Sequence, residues 1–294
     1  MATPRAVLVR RSTEYEELIA RHGTRGQAEF FLRNRDQTME PLVERHAATA
    51  SAWRGVLRAV PPDWRRADVE RAELVRFVFE PDDVVIVVGQ DGLVANVAKY
   101  LAAQAVIGIN PLPLENPGVL VPHAPDAAAD LLRGVIGGRA AYLERTMVRA
   151  VTDDGQELTA LNELYVGQPG HQSARYVLGW RGKLERQSSS GVIVGSGTGA
   201  TGWCASIQRA SAPGVPLPTP SDPGLVWFVR EPWPSTATGT SLSAGPLGGD
   251  ELTVRVESES LVAFGDGIEA DRLVLGWGQA VRIGRASRVL RTVL

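Results

Sequence analysis

The chain is short of several things, and each shortage excludes something. It has one cysteine, Cys204, in 294 residues, so there is neither an intramolecular disulfide nor a cysteine-cluster metal site. Lysine stands only at Lys99 and Lys183, leaving arginine to carry the positive charge. This is a compositional bias, not a functional signal. Neither charge is in large excess: 31 basic against 33 acidic residues give a formal net charge of −2. That argues against a nucleic-acid binder relying on bulk positive charge. No apolar run approaches the ~18 residues of a membrane span. The first run, Ala6-Val7-Leu8-Val9, is too short for a secretory h-region. His22, His46, His123 and His171 show no metal-ligand spacing, and no metal site is expected. Collagenous, disordered, disulfide-stapled and transmembrane classes drop out, and a reducing compartment is the default. What is present, 44% hydrophobic and 22% charged residues, supports a sizeable core at a length where one core divides into two.

The pattern along the chain predicts α/β structure first. Ala6–Val9 reads as a buried strand, followed by a polar stretch, a helix around Gln27–Arg35, and a helix from Pro41 to about Val60. A further strand is expected near Leu74–Phe79. Val84-Val85-Ile86-Val87-Val88 has no alternation, as in a parallel sheet covered on both faces. It runs through Gly89-Gln90-Asp91-Gly92 into a helix from about Leu93 to Ala103. Ala105–Asn110 is the next strand, which completes a βαβ unit. Pro111 to Pro125 reads as a connector, and Asp126–Ile136 as a short helix with Asp126 near its cap. From Tyr142 onward, short strands alternate with turn signals such as Asp153-Asp154-Gly155, predicting a β-rich second half. Ser211–Gly224 reads as a surface loop.

Several motifs carry chemistry, each beside a plainer reading. Gly197 to Gly202 fits G-x-G-x-x-G, between an apolar strand and a predicted helix at Trp203–Ala210. A dehydrogenase fingerprint does not follow. The motif stands in the β-rich half, and the acid expected about 20 residues on would be Asp222, inside the Pro-rich loop. What remains is a turn whose backbone N–H groups and hydroxyls can meet an anion, or simply a tight turn requiring glycine. Asp91 stands at the carboxyl end of a parallel strand, where open α/β sheets bind ligands. It can accept a hydroxyl proton or orient magnesium, or be an ordinary Asp-Gly turn. Asn162-Glu163 can grip vicinal ribose hydroxyls, or open a strand through an Asx turn. Asp266-Gly267 is by default a hairpin turn. Ser188-Ser189-Ser190 reads as a loop, and Cys204 as a small packed residue.

The order of these motifs is more specific than any one of them. The Gly89–Gly92 turn, Val106-Ile107-Gly108-Ile109-Asn110, Ala160-Leu161-Asn162-Glu163, Gly197-Thr198-Gly199 and Phe264-Gly265-Asp266-Gly267 together resemble the NAD kinase family. Further features resemble its mitochondrial-type branch. They are Thr13-Glu14-Tyr15, Glu44-Arg45-His46, Ser189-Ser190-Gly191, Trp203, Val229-Arg230-Glu231-Pro232 and the ending Leu290–Leu294. The resemblance spans nearly the whole chain and starts at the first strand, which implies a cytoplasmic, bacterial-type form.

It implies an α/β domain over 1–125, a β-rich NAD-binding domain over 126–272, and a segment from about 273 to 294 that returns to the first. It implies transfer of the γ-phosphoryl group of ATP, with Mg2+, to the 2′-hydroxyl of the adenosine ribose of NAD, giving NADP. NAD and ATP are then the partners, with no nucleic acid or membrane, in a homodimer or larger homo-oligomer. Asp91 matches the catalytic aspartate, with Gly89, Asp91 and Gly92 on the ATP side. Gly92, Asn162, Glu163, Ser190, Thr198, Gly199, Thr201, Trp203, Ser206 and Asp266 match positions on the NAD side. Two residues depart from the family's Gly-Gly-Asp-Gly-Thr turn. Gln90 replaces a glycine and would strain the turn if φ were positive there. Leu93 replaces a threonine hydroxyl. They motivate an alternative, a non-catalytic NAD(P)-binding protein. Lipid kinases share a Gly-Gly-Asp-Gly turn, but Asn162-Glu163 and the Gly-Thr-Gly turn favour NAD.

Overall fold

The computed structural model describes residues 4–211 and 214–294. The chain divides into two compact units: the part up to Leu143 together with Arg291–Leu294, and Glu144–Leu290.

The first unit begins with β1 (Arg5–Arg10), α1 (Glu14–His22), α2 (Arg25–Arg33) and α3 (Glu40–Ala59). It continues with β2 (Arg65–Glu70), β3 (Val84–Val88), α4 (Asp91–Ala98), β4 (Ala105–Ile109) and α5 (Ala128–Ile136). The strands lie in the order β2-β1-β3-β4, all parallel. Arg291 and Thr292 of the chain end pair with Ala105 and Val106 of β4. Every residue of β3 and β4 is buried. Ala6, Leu8, Ile86 and Ile107 pack with Ala52 and Val56 of α3 and Leu132 of α5. The unbroken apolar runs are what burial on both faces requires.

Three local expectations are revised. The strand expected at 74–79 falls on a 3-10 turn, Arg71–Arg76. The strand is β2, an edge strand in which Val69 is the one buried residue, so it has no apolar run to announce it. The polar stretch after β1 is the helix α1. Its capping box joins Thr13 and Glu16, and none of its residues is buried. Asp126 does not cap α5, whose N-cap Ala127 makes no side-chain bond.

The second unit is β-rich. It holds β5 (Tyr142–Thr152), β6 (Glu157–Ala160), β7 (Glu163–Gly167), β8 (Ala174–Trp180), β9 (Lys183–Ser189) and β10 (Val192–Gly195). Then come α6 (Trp203–Ser211), β11 (Leu225–Val229), β12 (Ala244–Leu247), β13 (Leu252–Val256), β14 (Ser260–Gly265), β15 (Ile268–Gly276) and β16 (Ala280–Val293); Tyr142 and Leu143 at the start of β5 and the end of β16 from Arg291 belong to the first unit. One sheet runs β6-β5-β16-β13-β8-β9 and the other β12-β11-β10-β7-β14-β15. Their facing sides enclose Leu164, Val166, Val194, Trp227, Tyr176, Val254 and Ile283. On the outer face of the second sheet, Trp203, Cys204 and Ile207 of α6 pack on Tyr165, Ile193 and Phe228.

The unit boundaries differ from those read in the sequence. Residues 126–143 stay with the first unit because Ala128 and Leu132 belong to its core. The returning segment is Arg291–Leu294 rather than one from about 273, because β15 pairs with β14 inside the second unit. The expected loop at 211–224 includes residues 212 and 213, which lie outside the described residues. Among the described residues no helix is long and apolar enough to cross a membrane.

Candidate functional site

In the first unit the informative turn follows β3. Gly89 donates its N–H to the Ile109 carbonyl at 3.0 Å, and Asp91 is the first residue of α4, followed by Gly92. The Asp91 carboxylate is not idle. Oδ2 accepts from the Val119 N–H at 2.8 Å, and Oδ1 from those of Leu120 and Val121 at 2.7 and 3.1 Å. Gln90 has φ −108° and ψ 165°, ordinary extended backbone, so the conditional strain of this departure does not arise. Leu93 is 5% exposed. It fills core, and an added Cβ at Gly89 would lie 3.1 Å from its Cδ2.

The second unit gathers most of the remaining candidates at one end of β7 and β10. Glu163 opposes Gly195 across the two strands. The Asn162 carbonyl accepts from the Ser196 N–H at 2.9 Å. Ser196 knits the turn: its hydroxyl donates to the Leu161 carbonyl and accepts from the Thr198 N–H at 3.1 Å and the Gly199 N–H at 3.4 Å. Asp266 turns the β14–β15 hairpin with φ 54°. Its carboxylate accepts from the Leu161 and Asn162 N–H groups at 2.9 and 2.7 Å, and its own N–H donates to the Glu163 carbonyl at 3.1 Å. Backbone approaches backbone here so closely that side chains are excluded. An added Cβ at Gly199 would stand 2.2 Å from the Asn162 carbonyl oxygen and 2.9 Å from Glu163 Oε2. One at Gly197 would stand 1.7 Å from the Thr219 carbonyl oxygen.

The electrostatics mark Glu163 as unusual. Burial, and then the charge of Asp266, push its carboxyl up to about 7. The Cys204 thiol is pushed up to about 12 by burial and by Glu163, so it is an inert packed group. Thr198 is 6% exposed, yet its buried Oγ1 has no hydrogen-bond partner. A buried hydroxyl left unpaired is costly, and it suits a ligand that completes it.

The other candidates flank this cluster or lie apart from it. Thr201 donates its hydroxyl to the Thr198 carbonyl at 2.9 Å. Trp203 stacks on Tyr165, with centroids 6.2 Å apart, and the Arg230 guanidinium lies 5.3 Å from its ring centre. Ser206 is exposed, one turn along α6 from Gly202. Ser190 precedes β10 at the opposite end from the Gly-rich turn, where its carbonyl accepts from the Tyr165 hydroxyl at 3.0 Å. Ser196 and Tyr165 are additions to the residues expected at the site, and Arg230, expected only as part of the Val229–Pro232 motif, joins them. A serine between two glycines was the visible signal for the first; nothing local marked Tyr165.

No protein-family model matches the chain. It is 28% identical over 217 residues to an NAD kinase of Psychrobacter arcticus, covering 68% of this chain and 60% of that protein. It is 34% identical over 129 residues to an NAD kinase of Clostridium tetani, covering 41% of this chain and 46% of that protein. The chain thus spans less than two thirds of the length of either curated relative. Among solved structures, yeast NADH kinase complexed with NADH matches all of this chain and 84% of its own. The TM-score there is 0.59 at 14% identity, and the two share a fold: mixed α/β with two sheets and a β-rich C-terminal part.

Proposed function

We propose that the chain is an NAD kinase, of the mitochondrial-type branch, which transfers the γ-phosphoryl group of Mg·ATP to the 2′-hydroxyl of the adenosine ribose of NAD. One observation carries the reading. The Asn162–Glu163 pair, the Gly-Thr-Gly turn with its unpaired Thr198 hydroxyl, and Asp266 form one constellation, in a chain similar to two NAD kinases. An amide and a carboxyl on consecutive residues suit vicinal ribose hydroxyls, each of which donates and accepts. Asp266 fixes that pair through its backbone. Asp91 is assigned the part of general base. It accepts the proton of the 2′-hydroxyl while the 2′-oxygen bonds to the γ-phosphorus. The bond from that phosphorus to its bridging oxygen breaks, and ADP leaves. Positioning and charge neutralisation supply most of such catalysis, and magnesium enters with the donor. Purified protein with NAD, magnesium and ATP should generate NADP in a dehydrogenase-coupled assay. NAD binding without product from any phosphoryl donor would instead make it a dinucleotide-binding protein.

The raised carboxyl of Glu163 sets a pH dependence. Because its folded-state value of about 7 exceeds the ordinary 4.5, the folded chain holds the proton more tightly than the unfolded one. Its contribution to stability is therefore lost as pH rises from about 4.5 to about 7. Ribose hydroxyls donate more strongly to the ionised carboxylate than to its protonated form, so NAD affinity should rise with pH and level off above 7, with a fall of at most about tenfold from the plateau to pH 6. Calorimetry across this range should give a flat profile for Glu163→Gln; an unchanged slope in that variant would remove Glu163 from the contact.

Thr198→Val tests the unpaired hydroxyl with opposite signs on two readouts. Replacing an unsatisfied buried hydroxyl by a methyl should leave Tm unchanged or higher. NAD affinity should fall about tenfold, the size of one lost ligand hydrogen bond. Lower stability at unchanged affinity would make the hydroxyl a structural group.

A further inference from the structure

The segment that delivers three N–H groups to Asp91 is built for that approach. Asn110 brackets its start: Nδ2 donates to the Asn116 carbonyl at 2.6 Å, and Oδ1 accepts from the Leu112 N–H at 3.0 Å. Gly118 turns it with φ +66°, where an added Cβ would lie 2.8 Å from the Val121 carbonyl oxygen and 3.0 Å from Asn110 Nδ2. Gly108 on β4 leaves room for it, since a Cβ there would stand 2.0 Å from the Leu120 carbonyl oxygen. His123 pins the far end. Its carbonyl accepts from the Asn110 N–H at 2.8 Å, and its N–H donates to the Gly108 carbonyl at 3.3 Å. A carboxylate offers about four acceptor positions. Three of those on Asp91 are filled from this segment, which leaves one.

We infer that Gly108, Asn110 and Gly118 are positioning residues for phosphoryl transfer. They fold residues 110–121 into a bracket that holds the Asp91 carboxylate in one orientation, with a single acceptor position open to the sugar hydroxyl. The inference rests on the catalytic reading of Asp91 given above. Its physical content is preorganisation: an aspartate free to rotate would present its oxygens to the hydroxyl only part of the time. The same three amides also tie the connector between β4 and α5 to the first turn of α4, so neither moves without the other.

Two measurements test it together. Amide hydrogen exchange reads the bracket without any reaction. Asp91→Ala and Asn110→Ala should each speed exchange at Val119–Val121 about tenfold or more, with β1 and β3 unaffected. Steady-state kinetics reads its purpose. Asn110→Ala should lower kcat about tenfold or more, with KM for NAD within about threefold, because a misaligned group costs turnover rather than affinity. Asn110→Asp, which keeps the acceptor for the Leu112 N–H, should fall between that variant and the wild type. A merely structural role would lower Tm and the folded fraction but leave kcat per folded site unchanged, and that result overturns the inference. Unchanged exchange at Val119–Val121 overturns the bracket itself. If exchange responds as expected but the wild-type chain forms no NADP, the catalytic reading has failed, and the positioning role falls with it. The two failures are distinguishable because the exchange readout needs no turnover.

Discussion

Asp91→Ala should lower NADP formation by about two to four orders of magnitude, the range typical of a lost general base, while calorimetric affinity for NAD stays within about threefold of the wild type. The separation follows from where the groups stand. Asp91 belongs to the first unit, and the constellation assigned to the dinucleotide belongs to the second. Removing the carboxylate leaves Asn162, Glu163, Thr198 and Asp266 untouched. Asp91→Asn is the sharper companion. Its amide oxygen can still accept from the Leu120 and Val121 N–H groups, which share one oxygen in the wild type. Its NH2 group, however, meets the Val119 N–H donor-to-donor, and the amide cannot take a proton. It should therefore lose nearly as much turnover as alanine while keeping more of the slow exchange at 120 and 121. Asparagine retaining most of the activity would mean that Asp91 only orients the hydroxyl. Loss of NAD affinity matching the loss of turnover would mean that Asp91 is a binding group.

Gly199→Ala should be the most damaging single change on the dinucleotide side. A methyl group there would lie 2.2 Å from the Asn162 carbonyl oxygen and 2.6 Å from its carbon. Both obstacles are backbone, so no rotamer change relieves the contact. The turn has to separate from the Asn162–Glu163 segment. Overpacking of this kind costs about 1–3 kcal/mol in stability. The same displacement pulls the Gly199 N–H off the Ser196 hydroxyl, a bond already 3.4 Å long, and shifts Thr198 relative to Glu163. NAD affinity should fall about thirtyfold or more, roughly 2 kcal/mol, and Tm should drop by several degrees. A control is Gly92→Ala, since an added Cβ at Gly92 meets nothing within 4 Å. It should leave stability nearly unchanged. Gly199→Ala with wild-type affinity would show that the Gly-Thr-Gly turn is a tight turn and no more.

Much of this molecule was legible in its sequence, and what was not has a common cause. β3 announced itself because parallel strands buried on both faces are continuous apolar runs. The Asp266-Gly267 hairpin was legible because a positive φ at a turn selects Asp and Gly, and Asp266 indeed has φ 54°. β2 was missed because an edge strand with one buried residue carries no periodic signal. The short α1 was missed for a related reason, although its Thr13–Glu16 capping box was there to be read. The candidate site divides in the same way. Asn162, Glu163 and the Gly-rich turn could be named from local residue types. That Asp266 would hold Asn162 could not, because the two are 104 positions apart. Nor could the three amides that converge on Asp91, which come from 28 to 30 residues away. Gln90 shows where a pattern needs the backbone to interpret it. A departure from a familiar glycine pattern implies strain only where φ is positive, and here it is not.

The central claim is that this chain phosphorylates one particular hydroxyl of a bound dinucleotide. The most direct test incubates the wild-type protein with NAD and γ-labelled ATP and locates the label. Labelled NADP should form with its phosphate on the adenosine 2′-oxygen, and an NAD analogue lacking that hydroxyl should give no labelled dinucleotide. Label transferred to the 2′-deoxy analogue would contradict the claim, as would calorimetric binding of NAD with no labelled product.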